Sequence, residues 1–137
     1  MVLSRWVVAI LGILLPYLAR IPGTVTRGPE WLGSFFGGQG LVNAILVVLF
    51  LGAFNGLVWG SVVLFSFLYR HPLSLWISAV ISFPFPLYAY ARIDLASDAQ
   101  AGIGLIFIPI CSMVFVALGG AVAFAIDRLV LARRTGE

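Results

Sequence analysis

Asp94 and Asp98 stand four residues apart, with Arg92 just upstream. On one helical face such carboxylates could bind a cation or share general acid–base work. The neighbouring residues offer a simpler account. Ser97 and Gln100 have the spacing of a capping box at a helix start, and Asp98 then lies in the first turn, where the helix dipole favours a carboxylate. Capping is the preferred reading, and a polar outer site of Arg92, Asp94 and Asp98 is the alternative.

Asn55 is the sharper candidate. It lies in a stretch from Trp31 to Tyr69 that contains no charged residue. A carboxamide in such surroundings must find hydrogen-bond partners, either a neighbouring helix or a bound solute. Gly52, Gly56 and Gly60 occupy adjoining positions at four-residue intervals, which favours a tie between closely packed helices.

Other reactive side chains lack partners in sequence. His71 is the only histidine and has no nearby cysteine or carboxylate to complete a metal site. Cys111 is the only cysteine, which excludes an intrachain disulfide, and it falls in an apolar run as a packing thiol. Ser61, Ser66, Ser74, Ser78, Ser82 and Ser112 are not set in a nucleophile elbow. Phosphate-binding and dinucleotide-binding glycine patterns are absent. No catalytic residue, metal or cofactor is expected.

The elements that hold these residues follow from composition. Of 137 residues, 62% are hydrophobic and 9% charged, against about 25% charged in an average soluble domain. A bilayer needs only about 20 apolar residues per helical crossing. The chain is therefore expected to be a single all-α membrane domain, a four-helix bundle with crossings near 2–20, 41–69, 73–91 and 101–126. Pro16, Pro109 and the Pro84–Pro86 pair are expected to kink or break their helices. The 21–40 connector, rich in glycine and proline, is expected to lie as a loop on the membrane surface, with Trp31, Phe35 and Phe36 at headgroup level and a short interfacial or re-entrant piece as the alternative. A cleaved leader is the weaker alternative for the first segment, because Ala19 suits cleavage but Tyr17 is too bulky.

All eight basic residues are arginine, and the net charge is +3. They are scattered between apolar runs without forming a basic stripe, so nucleic acid is not an expected partner. Arg5, Arg70, Arg128, Arg133 and Arg134 fall on one side, and Arg20, Arg27 and Arg92 on the other. That bias predicts cytoplasmic termini in a membrane of the bacterial inner-membrane type.

Small residues recur in the fourth crossing at Ala117, Ala121 and Ala125. This face is expected to pack on Gly52–Gly56–Gly60, as a glycine-zipper contact, or on a second copy. The expected partners are thus the lipid bilayer and another membrane protein or the chain itself. An accessory, regulatory or protective, immunity-like subunit is the leading function class. An oligomeric channel or small-solute transporter is the first alternative, and a lipid-modifying membrane enzyme the second.

Overall fold

The computed structural model describes residues 1–34, 40–94 and 101–131, with side chains as far as 129. Among these residues there are helices and no strands. Helix α1 (Val2–Leu18) carries Pro16 in its last turn and continues two residues past it. The chain then turns directly into two short helices, α2 (Ile21–Arg27) and α3 (Glu30–Gly33). This corrects the expectation of a surface loop for the described part of the 21–40 connector. Pro22 is tolerated because it sits in the first turn of α2, where an N–H would have no intrahelical partner. Both the amide and the hydroxyl of Thr24 bond to the Arg20 carbonyl, at 3.0 and 2.9 Å. Gly28 stops the helix with φ of 91°, a conformation that costs glycine little.

Helix α4 (Gly40–Phe65) runs into a 3₁₀ turn at Ser66–Leu68. The third crossing comprises α5 (Pro72–Ser82) and α6 (Pro84–Arg92), parted at Phe83. Pro84 and Pro86 cannot donate to the preceding turn, so the helix restarts with both prolines in its first turn. Helix α7 (Ala101–Ile126) passes through Pro109 without interruption and ends in a π-helical turn, Asp127–Leu131. Four stretches are long and apolar enough to cross a membrane: Val2–Arg27, Gly40–Leu68, Pro72–Arg92 and Ala101–Leu129. The protein is an all-α, membrane-embedded four-helix bundle.

Its neighbours are not simply consecutive. Helix α1 packs on α4, α4 on α7, and α7 on α5 and α6, while α6 also meets α1. Around the bundle the crossings therefore follow the order first, second, fourth, third. The buried residues of α7 include Leu105, Pro109, Ser112, Val116, Gly119 and Ala123. Their alternating spacing of four and three is the seam of left-handed helix packing. Leu57, Leu64, Val80 and Val114 are exposed. Lipid tails are as apolar as these side chains, so tight contact and hydrogen bonding, rather than hydrophobicity, must select the buried positions.

The described contacts correct one packing expectation. A methyl group on Gly52, Gly56 or Gly60 would meet nothing within 4 Å, and Ala117, Ala121 and Ala125 are all exposed. The two rows do not mate within one copy. The glycines used inside the bundle are others. A β-carbon on Gly12 would fall 2.0 Å from the Trp59 ring, and one on Gly119 would fall 2.8 Å from the Ser78 carbonyl.

Candidate functional site

Polar side chains inside this bundle gather at three levels. At the middle, α4 buries Asn55 and α6 buries Tyr90. The Asn55 amide donates to the Leu51 carbonyl at 2.9 Å and to the Tyr90 hydroxyl at 3.0 Å. The phenol lies 3.3 Å from Asn55 Oδ1, to which it donates. A carboxamide that would be costly in an apolar interior is satisfied by its own helix and by one 35 residues away. Trp59, one turn further along α4, stacks on Phe83 at 4.1 Å, beside the break in the third crossing.

Between α5 and α7 runs a serine seam. Ser74, Ser78 and Ser82 repeat every fourth residue and are all fully buried. Ser82 Oγ donates back to the Ser78 carbonyl at 2.8 Å and approaches the Phe115 carbonyl of α7 at 3.3 Å. Across the gap, Gly119 lets the Ser78 backbone approach, and Gly120 receives the Phe65 ring. These hydroxyls fill a close helix–helix contact; the Tyr69 phenol lies against Ser78, and among the described residues no histidine or carboxylate is hydrogen-bonded to Ser78 or Ser82.

At the end of the bundle where α1 begins, Asp127 is fully buried. Its Oδ2 accepts the Arg70 amide at 2.9 Å, and its Oδ1 accepts the His71 amide at 2.9 Å and the Ser74 hydroxyl at 2.6 Å. The carboxylate of the fourth crossing thus caps the start of α5, whose own preceding residue, His71, makes no side-chain cap. An anion suits a helix N-terminus because unpaired amides and the positive dipole end both face it. With its lone pairs aimed at three donors, Asp127 serves as a cap rather than a base.

At the opposite end Arg20 is fully buried. Its Nη1 donates to the Trp31 carbonyl and, at 2.9 Å, to Ser34 Oγ; its Nη2 donates to the Ile93 carbonyl. The guanidinium also lies 4.2 Å from the Trp31 ring centroid, and Arg27 lies 4.1 Å from it. Gly23 is required beneath that indole, because a β-carbon there would fall 2.4 Å from its nitrogen. One arginine therefore joins the first crossing, the α2–α3 connector and the end of the third crossing.

The expected outer residues are placed separately. Asp94 helps line a cleft of about 270 Å³ with Arg27, Glu30, Trp31 and Ser34, and its charge acts on Arg20. Arg92 instead lies 5.4 Å from the Tyr88 ring. Asp98 and the capping pair Ser97 and Gln100 lie outside the described residues, as do Phe35, Phe36, Arg133 and Arg134. Cys111, expected as an inert packing thiol, is exposed on a groove that Phe107 and Ile108 also line.

Sequence reasoning passed over Arg20, Asp127 and the serine row. The row had a legible signal, since Ser74, Ser78 and Ser82 repeat at the same interval as the glycines of α4. Arg20 and Asp127 had none: the Asp127 donors lie 53–57 residues away, and the Arg20 acceptors are spread 11, 14 and 73 residues along the chain with no motif to join them. Comparison with models of known families, with curated proteins and with solved structures finds no match to this chain.

Proposed function

We propose that the protein is an accessory, regulatory or protective subunit that packs its second crossing against a helix of another membrane protein. The supporting observation is the strip of Gly52, Gly56 and Gly60, open along its whole length. A helix side without β-carbons admits another backbone at short range. Asn55, the polar residue nearest that strip, already bonds inward to Tyr90, so the strip offers shape rather than chemistry. On this reading the protein resides in an inner membrane of bacterial type. Its termini face the cytoplasm, because the sequence assigns five arginines to that side (Arg5, Arg70, Arg128, Arg133 and Arg134) against three to the other (Arg20, Arg27 and Arg92).

Affinity purification in mild detergent tests the proposal. The expected result is a stoichiometric foreign partner that is lost in Gly56→Leu and kept in Asn55→Leu. A second reading, an oligomeric channel or small-solute transporter, draws on the break at Phe83, because discontinuous spans often line binding sites. A pure homo-oligomer that conducts ions in liposomes would replace the first reading with the second. A C-terminal tag accessible from outside the cell would reverse the orientation.

A further inference from the structure

A groove of about 340 Å³ opens between α1 and the end of the second crossing, lined by Val2, Arg5, Trp6, Ala9, Val63 and Phe67. Five of these six residues are apolar. Trp6 and Phe67, 65% and 64% exposed, are its aromatic members, and Ala9 is the smallest residue that lines it. Arg5 is its only charged residue. The guanidinium is held from one side, with Nε donating to Ser66 Oγ at 2.8 Å and Nη2 to the Ser66 carbonyl at 3.2 Å. It also lies 3.9 Å from the Phe67 ring centroid. Among the described residues no carboxylate pairs with it, and Nη1 donates to nothing. Asp127, the acidic residue at this end among the described residues, is occupied in capping α5. The same end also carries Arg70 and Arg128, so its charge is positive.

We propose that this groove binds one anionic phospholipid, with an acyl chain between Trp6 and Phe67 and the phosphate on the free edge of the Arg5 guanidinium. The two bonds to Ser66 fix the plane of that fork, and a fixed fork recognises phosphate better than a mobile point charge does. A second groove at the opposite end, headed by Arg92, is lined by Phe85, Phe107 and Ile108 among others. It is a poorer candidate, because Asp94 stands two residues away and opposes an anionic headgroup.

The test uses the full chain purified in mild detergent and titrated with phosphatidylglycerol or phosphatidylcholine of matched acyl chains, read by native mass spectrometry. Phosphatidylglycerol is expected to form a single-lipid adduct about fivefold tighter than phosphatidylcholine, the contribution of one interfacial arginine. Arg5→Gln should remove that preference. Ala9→Leu, which fills the groove while leaving the Arg5–Ser66 bonds in place, should abolish the adduct with either lipid. Millimolar inorganic phosphate should not displace the lipid. Equal affinity for the two lipids overturns the proposal, as does an unchanged adduct in Ala9→Leu. Displacement by inorganic phosphate overturns it too, since it would mark a simple anion site.

Discussion

Two glycine-bearing helix sides of this protein have opposite fates. On α7, Gly119 and Gly120 are buried against the Ser78 backbone and the Phe65 ring. On α4, Gly52, Gly56 and Gly60 face open space. Both sides belong to 26-residue apolar helices, and local sequence does not separate them. The difference arises from what each side meets: α7 finds a helix whose own facing residues, Ser74, Ser78 and Ser82, are equally small. Where two smooth sides meet, the backbones themselves come close. The bundle brings α5 to Gly119 in this way and leaves the α4 strip free.

Substitutions ordered by their effect on stability would break or sharpen this contrast. Gly119→Leu places a side chain where the Ser78 carbonyl already stands and should cost about 3 kcal/mol, measured as a lowered denaturation midpoint in detergent micelles. Asp127→Leu removes the cap at the end of the same seam. It leaves the Arg70 and His71 amides and the Ser74 hydroxyl without their acceptor, for an expected loss of about 2 kcal/mol. Tyr90→Phe tests the tie beside the open strip. Asn55 keeps its bond to Leu51, so the loss should be about 1 kcal/mol, within the range of interhelical hydrogen bonds in membranes.

Gly56→Leu should change the midpoint of the isolated chain by less than about 0.5 kcal/mol, as expected of a site with nothing packed on it. The same substitution should abolish capture of the partner. A large destabilisation of the isolated chain by Gly56→Leu would remove the contrast, and a neutral Gly119→Leu would do so from the other side.

The legible features were those controlled by local composition. Long uncharged runs announced the second, third and fourth crossings, a shorter run between Arg5 and Arg20 announced the first, and Pro84 and Pro86 announced the break near Phe83. The α2 helix is not the preferred reading of the sequence, because glycine and proline count as breakers throughout the connector. In place, Pro22 lies where a helix accepts it, and Gly23 makes room for Trp31. Asn55 was singled out for its position, but nothing local named Tyr90 as its partner.

The sequence by itself determined a membrane-embedded helical bundle, because the cost of burying backbone and charge in hydrocarbon depends on composition and length alone. Tertiary structure decided which small residues are used and which polar residues hold the ends together. Arg20 reaches Ile93 and Asp127 reaches Arg70 only after the crossings have taken their order around the bundle. The physical reason is the short range of the forces concerned. Hydrogen bonds and backbone contacts act over a few ångströms, so they belong to neighbours in space that the order of residues along the chain does not reveal.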